Sequence, residues 1–314
     1  MKLMPSAPGP LAAGLDYVDL DFLGKPQIIA TGVLHGRDGV ALVDPGPSTT
    51  LATLERKLGA KGMSFRDVRA ILLTHIHLDH AGSTGVLMDH CPDARVFVHA
   101  KGAPHMSDPS GLLASASRLY LDDMQRLWGE VRAVPAERMH ILNERDRFEV
   151  VGHEIESAWT PGHASHHDSY FFPAARLAFV GDTAGISRPG GKLVLPPTPP
   201  PDIDLEAWRL STDRILAWNP DLVFLTHFGP YPSPRVHFQN LWSRLEAWSS
   251  RVRGLLATPG TDAERAETFA REIDDEITRA TNRDEARAYA DAGRFDFSWM
   301  GLARYWRKKA SSSS

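Results

Sequence analysis

The sequence predicts an α/β fold, and two observations carry the prediction. Short apolar runs alternate with stretches of helical period, the pattern of buried strands flanked by amphipathic helices. Four of those runs also lead directly into histidine or aspartate. Residues 70–73 precede Thr74-His75-Ile76-His77-Leu78-Asp79-His80, residues 153–159 precede Thr160-Pro161-Gly162-His163, residues 177–180 precede Gly181-Asp182-Thr183, and residues 222–225 precede Thr226-His227. In open α/β sheets the side chains at the C-terminal ends of strands enter a crevice, which is where such proteins place their chemistry.

Taken in order, residues 17–23 alternate as a half-buried strand, and residues 27–34 follow as a second across a Gly-Lys-Pro turn. Residues 39–43 form a third, ending in Asp44-Pro45-Gly46-Pro47, where Asp and Gly favour a sharp turn. Ser48 or Thr49 is placed to cap a helix through about Leu58, with Leu51, Leu54 and Leu58 on one face. Residues 69–74 read as a buried strand, 79–91 as a helix ending before Pro92, and 95–99 as a further strand. A long helical region over 110–131 could pack on the core or lie over the site as a lid, with Tyr120 and Trp128 as its aromatic candidates. Residues 147–151 and 153–159 pair around Gly152, and Asp204 caps a helix through about Trp218. The five prolines between Leu195 and Pro201 run extended.

Beyond Pro234 the composition changes. Phe238, Leu241, Trp242, Leu245, Trp248, Val252 and Leu255 follow helical spacing, a charged helix spans about 262–290, and Trp299, Leu302 and Trp306 anchor a last turn. The expected organisation is a catalytic domain over residues 1–234 and a helical C-terminal extension over 235–314 packed on it. Ser311 to Ser314 read as a frayed tail. The tryptophan-rich helices must bury their apolar faces, either over a substrate pocket or in a homodimer.

Composition excludes several classes. With 42% hydrophobic and 24% charged residues the chain is an ordinary globular one. Its single cysteine, Cys91, permits neither an internal disulfide nor a thiolate metal site. A formal charge of −4 gives no nucleic-acid footprint. Pro5, Pro8 and Pro10 interrupt the N-terminus before an apolar signal segment can form, and no run is long enough to span a membrane. A cytoplasmic enzyme acting on a small molecule is expected, without nucleic-acid or membrane partners.

Four potential ligands within residues 75–80, joined by His163, Asp182 and His227, form a metal-type constellation. The set resembles the metallo-β-lactamase superfamily over roughly residues 15–230, including the Val-Asp-Pro-Gly of residues 43–46. That resemblance implies a four-layer αβ/βα sandwich. It also implies that His75, His77 and His163 bind one metal, that Asp79, His80 and His227 bind a second, and that Asp182 bridges both. Zinc is the first expectation, two ions per chain, although imidazole and carboxylate also suit iron or manganese.

Two adjacent cations lower the pKa of a shared water towards neutrality. Asp182, together with the resulting hydroxide, is therefore the candidate catalytic group. The leaving group could be protonated by Asp182, by a metal-bound water or by His166. His167 matches a histidine common in relatives and is expected to orient a neighbouring ligand. The implied reaction is hydrolysis of an ester, thioester or lactone, since the motifs look more like those of hydroxyacylglutathione hydrolases and acyl-homoserine lactonases than of true β-lactamases. Two alternatives stand beside it: a persulfide dioxygenase-like enzyme with one iron on His75, His163 and Asp182, and a nuclease of the same fold. His35, His90, His99, His105, His140, His153 and His237 are expected at surface or structural positions, with His35 and Tyr231 nearest to substrate-contacting loops.

Overall fold

The computed structural model describes residues 11–191 and 193–312. The first ten residues, on which the expected lack of a signal segment rests, and residues 313–314 lie outside them.

Two six-stranded sheets form the centre. The first runs in sequence order: β1 (Leu15–Asp19), β2 (Ala30–Gly36), β3 (Gly39–Val43), β4 (Val68–Leu72), β5 (Arg95–His99) and β6 (Met139–Leu142). Its first three strands are antiparallel neighbours, and β3 to β6 are parallel. The second contains β7 (Arg145–Val150), β8 (His153–Trp159), β9 (Asp168–Phe172), β10 (Leu177–Phe179), β11 (Leu222–Leu225) and β12 (Gly229–Pro232), side by side in that order, with β10 and β11 the parallel pair.

The period of two along each strand sorts side chains between layers. Ala41 and Val43 on β3, and Leu177 and Phe179 on β10, enter the core between the sheets. Val40 and Leu42 face the other way, onto α1 (Leu51–Gly59), α2 (Leu78–Ala81), α3 (Thr84–Leu87), α4 (Ala103–Ser107), α5 (Ser110–Tyr120) and α6 (Met124–Trp128). Ala178 and Val223 face α7 (Leu205–Ala217) and α8 (Pro234–Leu256). The result is the four-layer αββα sandwich, followed by α9 (Asp262–Ala280), α10 (Arg283–Ala292) and α11 (Phe295–Ser312). Trp248, Phe269, Tyr289 and Trp299 are all buried where these last helices meet α8, so the tryptophan-rich faces are covered within the chain. No helix among the described residues is long and apolar enough to cross a membrane.

Several elements differ from the sequence expectation for local reasons. The first strand stops at Asp19, because Asp21 and Leu23 adopt left-handed φ of 49° and 54° and the Asp19 carboxylate accepts the Asp21 and Gln27 N–H groups. The helix expected over 79–91 is split into α2 and α3, where the Ser83 N–H turns to the Gly46 carbonyl at 2.9 Å. The 110–131 stretch breaks at Leu121, with φ 47°. Ser48 and Thr49 do not cap α1; their hydroxyls donate to the Glu130 and Leu127 carbonyls and tie down the end of α6. The charged helix is two helices, since Asn282 accepts the Asp284 and Glu285 N–H groups, both at 3.0 Å, and starts α10. Ser311 and Ser312 belong to α11. Asp204 caps α7 as expected, accepting from the Ala207 N–H at 2.9 Å.

Helix α8 also carries a titration. His237 is buried, donates to the Ala184 carbonyl at 2.7 Å, and burial pushes its pKa down to about 4. A depressed imidazole stays neutral in the folded chain while the unfolded chain takes up a proton near pH 6.5. Its contribution is therefore present above pH 6.5 and is lost as the pH falls towards 4, a change of roughly 3 kcal/mol. We expect His237→Gln, which keeps a neutral donor, to lose less unfolding free energy between pH 7 and 4.5 than the parent. Equal pH slopes in denaturant titrations would disprove this.

Candidate metal centre

The strand ends bring together all seven side chains singled out in the sequence. β4 runs into Thr74 and the 75–80 segment, whose last residues open α2 and turn Asp79 and His80 back over the crevice. β8 ends before His163, β10 before Asp182 and β11 before His227. Glycine is required beside two of them. A Cβ on Gly162, at φ 139°, would sit 2.3 Å from the Trp208 backbone, and one on Gly181, at φ 43°, 2.5 Å from Thr74 Oγ1.

Three groups able to hold a cation result: His75, His77 and His163; His75, His80 and Asp182; and Asp79, His80 and His227. His77 Nδ1 lies 3.0 Å from both His75 Nε2 and His163 Nε2. His227 Nε2 lies 3.2 Å from His80 Nε2 and 3.3 Å from Asp79 Oδ2. Between the two halves sits Asp182, with Oδ2 3.3 Å from His163 Nε2 and Oδ1 3.4 Å from His80 Nε2.

A second ring of contacts fixes which nitrogen of each imidazole carries the proton. His163 Nδ1–H donates to the Pro197 carbonyl at 2.8 Å and His227 Nδ1–H to the Ile28 carbonyl at 2.7 Å. His80 Nδ1–H donates to Asp44 Oδ2 at 2.8 Å. The Thr74 hydroxyl gives its proton to Asp44 at 2.7 Å, so at 3.1 Å it accepts from His75 Nδ1–H. In their neutral forms His75, His80, His163 and His227 therefore all turn Nε2 lone pairs inward.

The electrostatics follow. Burial, reinforced by neighbouring imidazoles, pushes His75 well down; burial likewise takes His77 to about 4 and lowers His163. Burial opposes charge on Asp182 and Asp79, but His80 and His227 outweigh it and hold both carboxyls below their usual range. The same carboxylates outweigh burial at His80 and raise it. Asp182 Oδ1 is also buried without a hydrogen-bond partner among the described residues. Imidazoles held neutral at His75, His77 and His163, beside carboxylates held ionised at Asp79 and Asp182 that draw protons onto His80 and His227, are what a cation satisfies, so this donor set fits metal ions of the kind bound by imidazole and carboxylate.

The family model for the metallo-beta-lactamase superfamily matches residues 24–227, the stretch that contains every one of these side chains. The chain belongs to the metallo-β-lactamase superfamily. Among superfamily relatives, it is 28% identical over 240 residues to a metallo-beta-lactamase fold-containing protein of Sulfurisphaera tokodaii, covering 74% of this chain and 86% of that one. It is 27% identical over 187 residues to a hydroxyacylglutathione hydrolase of Methylobacterium, covering 57% of each. The crystal structure of a metallo-beta-lactamase family protein from Thermus thermophilus superposes with a TM-score of 0.69 at 24% identity, over 96% of this chain and 95% of the other, which establishes likeness of fold.

The centre opens into a cavity of about 560 Å³ lined by His77, Asp79, His163, Asp182 and His227. Its walls include the turn after β1, Lys101 and His105, the α5–α6 segment, the proline-rich stretch from Pro197 to Asp202, and the α10–α11 junction of the C-terminal extension. His166 lines it too, accepting the Ile76 N–H on Nδ1 at 3.4 Å and stacking on His75. His167 does not; it is buried behind the centre, where the Thr160 hydroxyl lies 2.9 Å from its Nδ1. His105 is exposed, as expected, and also lies on the cavity lining. His35 pairs loosely with Asp16 at 4.0 Å, and the Tyr231 hydroxyl donates to the Arg188 carbonyl, both away from the cavity lining. Sequence reasoning missed Asp44 as a functional residue: it reads as a turn aspartate, yet it is fully buried and accepts from Thr74, His80 and Thr226.

Proposed function

We propose that the chain is a metal-dependent hydrolase of esters, thioesters or lactones, in which His75, His77 and His163 hold one ion, Asp79, His80 and His227 hold a second, and Asp182 reaches both. The observation that carries this reading is the place of Asp182, one carboxylate oxygen towards each half at 3.3 and 3.4 Å. When bound, a zinc-type pair would supply a water of near-neutral pKa and polarise the substrate's carbonyl oxygen. The chain's residues do the rest. Carbonyl and carboxylate anchors behind His80, His163 and His227 hold their lone pairs towards the centre with no reorganisation during reaction. His166, accepting on Nδ1, keeps its proton on Nε2 and lines the cavity, which makes it a candidate to protonate the leaving group.

The test is metal analysis of protein purified without added metal, followed by chelation. We expect about two zinc-type ions per chain, and at least ~10²-fold loss of ester, thioester or lactone hydrolysis on chelation, restored by zinc, manganese or iron. One iron per chain, with no hydrolysis of any of these substrates, would replace this reading with an oxygen-dependent one.

A further inference from the structure

The cavity walls are informative about what enters. Phe22 stacks on Trp128 with ring centroids 5.8 Å apart, Trp128 meets the edge of Tyr120 at 5.0 Å, and Tyr120 meets Phe297 at 5.3 Å. These four rings come from the turn after β1, from α6, from α5 and from α11, so Phe297 of the extension continues an aromatic wall begun by three rings of the sandwich. Leu112, Ala116 and Leu119 of α5 continue the apolar lining. The cations at the rim are largely spent. Lys25 is paired with Asp291 at 2.6 Å, Arg126 with Asp123 at 2.8 Å, and Arg294 with Asp296 at 2.6 Å. Polar groups gather elsewhere, on Lys101, His105, Ser165 and His166. A highly charged leaving group would find few free cations here, whereas an apolar chain would meet the faces of four rings and the Leu112, Ala116 and Leu119 side chains, with the buried Trp128 Nε1–H the one orphaned polar atom of those rings among the described residues.

We infer that this wall seats the alkyl chain of a medium-length acyl substrate, of about eight to twelve carbons, with the ester or thioester carbonyl at the His/Asp centre and the leaving group towards Lys101 and His105. The volume admits a chain of this length beside a leaving group, since about 560 Å³ lies within the range of pockets that hold whole small-molecule ligands. The inference rests on the hydrolase reading for its carbonyl position, but the apolar wall exists independently of it.

Two measurements on the metal-loaded full chain separate these. The first is kcat/KM for 4-nitrophenyl acetate, butanoate, octanoate and decanoate. The second is calorimetric binding of sodium acetate, octanoate and decanoate, where the shared carboxylate cancels and the slope with chain length reports the wall. We expect both to rise with chain length, by about two- to fourfold per methylene up to the octanoyl chain. Ala116→Phe should move the optimum to shorter chains. Phe297→Ala should weaken decanoate binding at least fivefold relative to acetate, and Phe297→Leu, which keeps most of the apolar volume of this buried position, should weaken it less and keeps the test available where the alanine variant does not fold. Hydrolysis that is flat or falls with chain length, together with decanoate binding no tighter than acetate, overturns the inference. No hydrolysis of any ester, with alkanoates still binding in order of length, leaves the wall assignment standing and sinks the hydrolase reading. Absence of both sinks the two together.

Discussion

Asp182→Asn is expected to lower kcat/KM for the best ester by at least ~10³-fold and to reduce bound metal below two ions per chain. The substitution preserves size and shape but removes the negative charge, and it replaces one of the two oxygens by a donor. Whichever way the amide turns, an NH2 group then faces either His163 Nε2 or His80 Nε2, where the parent offers oxygen at 3.3 and 3.4 Å. One half of the centre thus gains a donor where it needs a carboxylate. Asp182 Oδ1 has no hydrogen-bond partner among the described residues, so no structural bond is lost at that atom, and the fold should survive. Circular dichroism and metal analysis alongside the kinetics check each part. A folded variant that keeps two ions and parental activity would remove Asp182 from the centre.

The metal constellation was legible because its signals are local. Four ligands fall within 75–80, and the other three each follow an apolar strand at a Pro-Gly, Gly or Thr junction, so strand and ligand are read together. The two-sheet core followed equally from apolar runs such as 39–43 and 222–225. What escaped was either non-local or short. β9 is buried along its whole length, so it has no alternation to announce it, and its polar start at Asp168 hides behind His166 and His167. β6 and β12 are four residues each and exist through pairing with β5 and β11 rather than through their own pattern. The break between α9 and α10 did carry a signal: Asn282 followed three residues later by Glu285 is a helix-start pattern inside an otherwise continuous charged period. Half of the aromatic wall was legible, since Tyr120 and Trp128 stand in the stretch read as a possible lid and both line the cavity, whereas Phe22 and Phe297 carried no signal because they join those rings only after four separate elements have packed.

Asp44 is the clearest case of a role set by distance in sequence, and it gives the second large effect. Its carboxylate accepts the Thr74 N–H and hydroxyl, the His80 Nδ1–H and the Thr226 hydroxyl, the last from 182 positions away, and it is wholly buried. Asp44→Ala leaves four buried donors without an acceptor, at a cost of about 3–5 kcal/mol in stability. It also frees His80 to change tautomer. With no acceptor at Nδ1, the proton moves to Nε2, where Asp182 and Asp79 carboxylate oxygens wait at 3.4 and 3.8 Å, and the inward lone pair is lost. The His75, His77 and His163 half does not touch Asp44 directly, so it should keep its ion. We therefore expect the metal content to fall from about two to about one per chain, with 10- to 100-fold weaker binding at the vacated half. Asp44→Asn retains a carbonyl that can accept the His80 Nδ1–H while setting its NH2 against the Thr74 N–H, so its losses should be intermediate in stability and in metal. Denaturant titration and metal analysis of both variants give the order. If alanine and asparagine were equivalent, or if either kept two tightly bound ions, Asp44 would be a packing residue and the orientation of His80 would have another source.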